Sequence, residues 1–298
     1  MYQHLLVPLD GSRLAEAALP VAGYLARTLH ARLTLLHIIE ENPPERIHGE
    51  PHLQDAQEAQ EYLKDAARRL LPGLPDVEEH VHRQGEKDVA RSLATHMEEL
   101  DADLIVMSTH GRSGVRSLLI GNIAQQVISI SKTPILLVPS GGEQAAQTFT
   151  CHRIVTPLDG NPEHEQGLEV AASLARACGA ELRLIMAVHT LQTLPGEHGA
   201  TARLLPTASS AILDLNEAQA EEYLRQHEQK LNEAGIKVSS QVCRGEPVKM
   251  VERAARSMDA DLLVLSTHGK SGIEAFWSRS FAPNLARIAR HPILFVPV

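Results

Sequence analysis

The sequence predicts an α/β protein made of two tandem five-stranded parallel-sheet sandwiches. Three observations support this fold class. The chain has 298 residues, more than one ordinary domain needs, and it repeats its own sequence. Within each copy, short apolar runs alternate with amphipathic helical patterns, which is typical of a parallel sheet covered on both faces. A hydrophobic content of 43% is sufficient for two cores.

The internal repeat defines the domain organisation. Four segments recur: "VPLDGS" (7–12) as "TPLDGN" (156–161), "EYL" (61–63) as "EYL" (222–224), "ADLIVMSTHGRSG" (102–114) as "ADLLVLSTHGKSG" (260–272), and "TPILLVPS" (133–140) as "HPILFVPV" (291–298). We therefore expect domain 1 at residues 1–140 and domain 2 at residues 153–298. The polar, glycine-containing stretch 141–152 is predicted to be a linker, and residues 193–214 an enlarged loop of the second copy.

The elements of the first copy follow from its hydrophobic periodicity. The predicted strands are "HLLVPL", "LTLLHII", "VEEHVH", "DLIVMS" and "PILLV". The predicted helices cover about 13–30 and 54–71, start near Val89, and start near Asn122. Strands that are apolar on both faces and joined by helices predict right-handed crossovers within a parallel sheet.

Ligands in such sheets bind at the carboxyl ends of the strands, at the point where the strand order reverses. Right-handed crossovers leave a few strand orders open, and the order with strand 1 beside strand 4 creates that point there. Asp10 follows strand 1, and the glycine-rich loop 108–122 follows strand 4. The carboxylate would accept from ribose hydroxyls, and loop amides would hold phosphate oxygens, so this pattern predicts a nucleotide site.

The glycine-rich loop carries the features of a phosphate cradle. Gly111, Gly114 and Gly121 permit positive φ and leave no Cβ in the way of a phosphate. Arg112 and Arg116 add positive charge. Taken alone, the loop could be only a connection between a strand and a helix, and Asp10 only a helix N-cap.

The loop resembles the nucleotide motif of universal stress proteins, which reads Gly, two residues, Gly, nine residues, Gly, then Ser or Thr. The first copy has Ser108, Gly111, Gly121 and Asn122 at these positions. Ser108 and Asn122 depart from the motif, although both are small or hydrogen-bonding and Asn is a good N-cap. The resemblance covers almost the whole chain, as two tandem domains.

This resemblance implies a nucleotide-α-hydrolase-like strand order of 3-2-1-4-5 and ATP or a related adenine nucleotide, with Mg²⁺, in the crevice. It also implies pairing through the fifth strands into an intrachain pseudo-dimer, and it leaves a homodimer open. By position, Asp10 would meet the ribose, the Ile38 backbone the adenine, and Gly111, Gly121, Asn122 and Ile123 the ribose and phosphates. Pro8, Ser108, His110, Arg112 and Gly114 complete the predicted site.

The second copy departs further from the motif. Its corresponding residues are Asp159, Ala187, Gly269, Gly272, Arg279 and Ser280. Arg279 replaces the third glycine, so its side chain would crowd the phosphates unless the guanidinium turns inward and binds them. We expect the first copy to bind nucleotide, and the second to be structural or to bind something else under its enlarged loop.

Other partners and sites are disfavoured by composition and spacing. A net charge of −9 with 3% aromatic residues lacks the basic, stacking surface of a nucleic-acid binder. No run has the length of a membrane span and no targeting segment is evident, which predicts a cytoplasmic protein. The unpaired cysteines fit that reducing compartment. His80 and His82 share a strand face, but spacing shows no third metal ligand.

Three function classes remain after these exclusions. A nucleotide-binding regulatory protein of the stress response fits best. The alternatives are a slow ATPase or adenylyl-transfer enzyme and a nucleotide-free interaction module. His110 and His268 could act as a general base but are read as positioning residues, so no catalytic residue is assigned.

Overall fold

The computed structural model describes residues 1–43, 45–47, 50–109, 121–140, 148–194, 196–267 and 281–298. These residues form two compact units. Unit 1 contains the described part of 1–150 together with 292–297, and unit 2 contains the described part of 151–291 and Val298. Most of the predicted linker, 141–147, lies outside the described residues.

Unit 1 alternates strands and helices as predicted. Its strands are β1 His4–Pro8, β2 Arg32–Glu40, β3 Arg46–Ile47, β4 Glu50–Pro51, β5 Val77–Glu86, β6 Leu104–Thr109 and β7 Ile135–Pro139. Its helices are α1 Arg13–Glu16, α2 Leu19–Leu29, α3 Ala56–Leu70, α4 Val89–Glu99 and α5 Asn122–Ile130. The predicted helix 13–30 is two helices, because Pro20 has no N–H to donate to Glu16.

The main sheet of unit 1 has the order β5-β2-β1-β6-β7, which is 3-2-1-4-5 when the β3–β4 hairpin is left out. Its neighbouring strands are parallel: β1 pairs with β2 from His4↔Arg32 to Pro8↔Leu36, and with β6 at Leu5↔Leu104. The C-terminal strand β12, Ile293–Pro297, adds antiparallel to β7. The sheet core is apolar on both faces, as continuous apolar strands predict.

Unit 2 repeats this pattern. Its strands are β8 Arg153–Leu158, β9 Glu181–Val188, β10 Val238–Arg244 and β11 Leu262–Thr267, in the parallel order β10-β9-β8-β11. Its helices are α6 Gln166–Cys178, α7 Gly196–Leu204, α8 Pro206–Glu233, α9 Pro247–Ser257 and α10 Phe281–Ile288. A short 3₁₀ turn at Pro162–His164 precedes α6.

The prediction of an enlarged loop at 193–214 is wrong. The segment instead supplies α7 and the first third of α8, whose buried face carries Leu213, Ala220 and Leu224. Pro206 occupies the first position of α8, where its missing N–H has no partner to lose. The extra length of the second copy suggested a loop, but it forms helix, with Gly196 and Pro206 as the first residues of α7 and α8.

One repeated aspartate ties the first and fourth strands of each copy together. Asp103 accepts from the backbone N–H groups of Gln3 and His4, at 2.7 and 3.0 Å. Asp261 accepts in the same way from His152 and Arg153, at 2.7 and 2.8 Å. The recurrence of this carboxylate in the "ADL" segments therefore has a structural reason, because it fixes the start of one strand beside its neighbour.

Two further observations concern helices and cysteines. No helix in the described ranges combines the length and the apolar run that a membrane crossing requires.

All three cysteines are free thiols. A hydrogen bond with Cys178, together with burial, raises the pKa of the Cys151 thiol, which keeps it protonated and unreactive.

Unit 1 also contains a histidine cluster that spacing did not predict. His96 on α4 packs edge-on against His80 and His82 on β5, with ring centroids 5.2 and 4.9 Å apart. Burial, followed by the neighbouring His96 and His82, lowers the pKa of His80, while Glu99 opposes this. Protonation of the cluster would place like charges in contact.

We expect unit 1 to lose stability as the pH falls below about 6.5, the ordinary histidine pKa. Because the folded pKa of His80 lies below its unfolded value, the unfolded chain binds more protons in this range. Urea unfolding at pH 7.5 and 5.5 should show a smaller pH dependence for His80→Gln than for the wild type. The exposed His198→Gln is the control, and an equal effect of both variants would contradict this interpretation.

Candidate functional site

A cavity of about 360 Å³ lies at the carboxyl ends of β1, β2 and β6 in unit 1. The starts of α1, α4 and α5 contribute its remaining walls. This is the edge where a strand order of 3-2-1-4-5 reverses direction, so the cavity lies where ligands of open parallel sheets bind.

Six of the predicted site residues line this cavity: Pro8, Asp10, Ile38, Ser108, Gly121 and Ile123. Asn122 is the first residue of α5, next to two of them. The other predicted residues of the first copy, His110, Gly111, Arg112 and Gly114, lie outside the described residues. The structure therefore brings together residues from three strand ends and one helix start, from Pro8 to Ile123 in sequence.

Asp10 belongs to a tight turn between β1 and α1. Its Oδ1 accepts from the backbone N–H of Ser12 at 2.9 Å and from the Ser12 hydroxyl at 2.7 Å. Ser12, not Asp10, is the N-cap of α1, since its side chain accepts from the Ala15 N–H. The alternative in which Asp10 is a simple N-cap is therefore wrong, and its carboxylate lies on the cavity wall.

Most of the cavity lining is apolar. Leu36, Leu93 and Met107 are almost fully buried and contribute to it, as do the Ile38 side chain and the first turn of α5. An apolar cavity with a few polar groups suits a small ligand, which the polar groups orient.

Sequence reasoning missed three polar residues of the lining: His37, Glu40 and His52. His37 and Glu40 lie on β2 beside the predicted Ile38. Their closeness to Ile38 in sequence was the only feature that could have indicated them. His52 comes from the segment between β2 and α3, which the periodicity assigned only to a loop. It reaches the cavity because Leu53 packs with Ile39 and Ala59.

The start of α5 differs from the prediction in its backbone. Gly121 is the N-cap residue, with φ −58° and ψ 149°, so it has no positive φ, and the assignment of the cap to Asn122 is wrong. Gly121 caps α5 at the cavity wall and, as a glycine, adds no side chain there. The first-turn N–H groups of α5 have no partner within the helix, and this end of the helix favours an anion.

At the corresponding edge of unit 2, Asp159 and Ser266 are hydrogen-bonded to the start of the following segment. Asp159 Oδ2 is 2.5 Å from Nδ1 of His164, and its Oδ1 accepts from the Asn161 N–H at 3.0 Å. Ser266, the counterpart of Ser108, donates to the His164 carbonyl at 2.5 Å and accepts from the Gly167 N–H at 2.7 Å. The start of α6 therefore rests on the end of β11.

Asp159 and Ala187, the counterparts of Asp10 and Ile38, line a cavity of unit 2 that is about 510 Å³ in volume and is also lined by α8. Gly269, Gly272, Arg279 and Ser280 lie outside the described residues, so the predicted crowding by Arg279 stays a prediction. Within the described part of the chain, no group of three or more His, Cys, Asp or Glu side chains is arranged to hold a metal ion.

The turn after Asp10 depends on a glycine. Gly11 has φ +90°, and a Cβ placed there would lie 2.9 Å from Cγ of Leu53. We expect Gly11→Ala to lose about 1–2 kcal/mol of stability from the backbone alone, and more from displacement of Leu53. Gly73→Ala is the matched control, since Gly73 has φ +71° and no atom within 4 Å of such a Cβ. Equal losses in urea unfolding would mean that the Leu53 contact contributes nothing.

Comparison with known proteins agrees with this geometry. The family model described as "Universal stress protein family" matches residues 1–139 and again residues 150–297. Universal stress protein Rv2319c of Mycobacterium tuberculosis is 24% identical over 298 residues, covering 96% of each chain. Universal stress protein Sll1654 of Synechocystis is 31% identical over 139 residues, covering 47% of this chain and 87% of its own.

A solved structure of a putative universal stress protein from Pseudomonas aeruginosa has the same fold. Its TM-score is 0.68 at 17% sequence identity, covering 99% of this chain and 93% of that one. A universal stress protein structure from Archaeoglobus fulgidus gives a TM-score of 0.65 over 99% of this chain. The chain therefore belongs to the universal stress protein family, which it matches twice in tandem.

Proposed function

We propose that this protein is a stress-response regulator that binds ATP or a related adenine nucleotide in the cavity of unit 1. The observation that carries the proposal is the convergence of Asp10, Ile38, Ser108 and the start of α5 on one 360 Å³ cavity. The family resemblance of the glycine spacing implies the same ligand class.

The chemistry of the lining matches the three parts of a nucleotide. The apolar slot beside Ile38 suits the base, and the Asp10 carboxylate suits the ribose hydroxyls as an acceptor. Because the first-turn N–H groups of α5 have no partner within the helix and the helix dipole is positive at this end, the start of α5 suits the phosphates. Mg²⁺ would accompany the phosphates, since it is held in nucleotide sites largely by phosphate oxygens and water.

Ligand occupancy would act on this protein by mass action. A nucleotide at about a hundred times its dissociation constant stabilises the bound state by about 2.7 kcal/mol. This is enough to shift a conformational or partner-binding equilibrium without any turnover.

The two copies, domain 1 at 1–140 and domain 2 at 153–298, have divided roles in this proposal. The closed hydrogen bonds of Asp159 with His164 and of Ser266 with α6 support a second crevice that takes no nucleotide. These hydrogen bonds support the divided roles without any contribution from Arg279. We therefore expect each chain to bind one nucleotide.

Calorimetric titration of the full chain with Mg-ATP tests the proposal. We expect Asp10→Asn to bind about 10- to 100-fold more weakly than the wild type, because a charged acceptor for the ribose is lost. The Asn side chain still offers an oxygen to Ser12, so the turn should be kept.

Asp159→Asn is the matched control at the same position of the second copy. It should leave the ATP affinity and the stoichiometry unchanged. Unchanged binding by Asp10→Asn, or an equal loss in both variants, would contradict the assignment to unit 1.

A further inference from the structure

We propose that the first half of α8 is a dimerisation surface, through which two copies of this chain associate by antiparallel packing of their α8 helices. The inference concerns unit 2 and does not depend on the nucleotide site of unit 1. It is carried by a group of apolar side chains on this helix that the fold of unit 2 leaves exposed.

The exposed stripe of α8 consists of Leu205, Ala208, Ile212 and Leu215. Together with the neighbouring Leu204, it contains the four most exposed large apolar side chains among the described residues. Leu204 is 80% exposed, Leu205 is 59% exposed, and Ile212 and Leu215 are each 58% exposed. Single exposed apolar residues are common, but a contiguous group of them marks an interaction site.

The segment has the composition of an interface core. Residues 204–213 read "LLPTASSAIL" and contain no charged side chain. Charged residues return at Asp214 and then occur on almost every turn of α8. Because the core of a protein interface is depleted of charge, the uncharged start of α8 fits an interface better than a solvated surface.

The first half of α8 is apolar on two faces. The buried face of the helix, with Leu213, Ala220 and Leu224, packs against β9 and β10. With 3.6 residues per turn, the exposed stripe lies about 120° around the helix from that face. A helix that is apolar on this much of its circumference is normally covered on both faces. Unit 2 covers only one of them, so the other fits a partner outside the chain.

The spacing of the exposed stripe fits a second copy of the same helix. Its members follow one another at intervals of three, four and three residues, which is the pattern of a seam between two helices. A two-fold axis beside Ser210 places Leu205 opposite Leu215 of the other copy. The same axis places Ala208 opposite Ile212, so that a small side chain faces a large one and the two helices can approach closely.

The charges beside the stripe are complementary in this arrangement. The exposed Arg203 precedes the stripe, and Asp214 and Glu217 lie at its other end. Asp214 Oδ1 is 3.2 Å from Nη2 of Arg244, and Glu217 Oε2 is 3.1 Å from its Nη1, so two carboxylates share one cation. Antiparallel pairing brings Arg203 and the positive end of the α8 dipole towards these carboxylates of the other copy.

A membrane surface fits the stripe less well. Helices that lie in a membrane interface carry Lys and Arg on their polar face, which attract anionic lipids. Residues 204–222 contain no Lys, Arg or His, whereas they contain four carboxylates. The stripe therefore lacks the flanking charge that a lipid surface favours.

Sedimentation velocity of the full chain from about 1 µM to about 1 mM tests the proposal, because this range covers weak interfaces. The stripe spans only about three helical turns, so we expect a small contact and a reversible dimer that forms as the concentration rises. Ile212→Glu should raise the dissociation constant of the dimer at least about tenfold, since symmetry buries the new charge twice. The circular dichroism spectrum should stay that of the wild type, because Ile212 is exposed.

Ile130→Glu is the matched control, since it makes the same change at an exposed isoleucine of unit 1. It should leave association unchanged. A wild type that stays monomeric over the whole range would overturn the proposal, and so would a dimer that both variants weaken equally or that Ile212→Glu leaves intact. Binding to vesicles of anionic phospholipid that Ile212→Glu removes would assign the stripe to a membrane surface instead.

Chemical cross-linking tests the antiparallel arrangement separately. Ala211 is exposed and lies beside the two-fold axis, so Ala211→Cys should bring two thiols of the dimer within reach of a short bismaleimide. Glu233→Cys, at the far end of α8, should give no more cross-linked dimer than the native thiols of the wild type, because antiparallel helices carry these ends apart. Equal cross-linking of the two variants would contradict the antiparallel dimer.

Discussion

The position of β1 between β2 and β6 is the constraint on which the site of this protein depends. Parallel pairing on both sides of β1 brings three carboxyl strand ends to one edge of the sheet. Asp10, Ile38 and Ser108 meet there although they are far apart in sequence. The carboxylate of Asp103 supports this arrangement at the opposite end of the strands, where it binds the backbone N–H groups that lead into β1.

The same strand arrangement recurs in unit 2 with a different outcome at its edge. Ser108 lines the cavity of unit 1, and its counterpart Ser266 in unit 2 is hydrogen-bonded to the 3₁₀ turn and to α6. Gly167 permits this approach, since a Cβ there would lie 2.7 Å from the Ser266 backbone nitrogen. His164 meanwhile occupies the carboxylate of Asp159. The repeated backbone therefore carries different hydrogen bonds at the corresponding edges of the two units.

The sequence predicted the repeat, the α/β class and most elements, because continuous apolar strands and helical periodicity are local signals. It also predicted Asp10 and Ile38 near one another, through the rule for parallel strand ends and the family resemblance. It missed the cluster of His96 with His80 and His82, because only the packing of α4 on β5 brings these rings together.

Local signals misled in two further places. The extra length of the second copy before its second helix indicated a loop, although the buried spacing of Leu213, Ala220 and Leu224 is helical. His52 could not be assigned, since its position depends on a hairpin and on the contact of Leu53 with the Gly11 turn. In both cases tertiary packing decides the outcome, and it is not visible in a short window of sequence.

The central claim is that one crevice of two holds an adenine nucleotide. The most direct measurement is to purify the protein in the presence of Mg²⁺, denature it, and quantify the released adenine nucleotide per chain by chromatography and mass spectrometry. The purified protein is saturated with ATP and freed of the excess before it is denatured. One nucleotide per chain is then expected. Two per chain would contradict the proposed division of roles between the two copies, and none would contradict the nucleotide site itself.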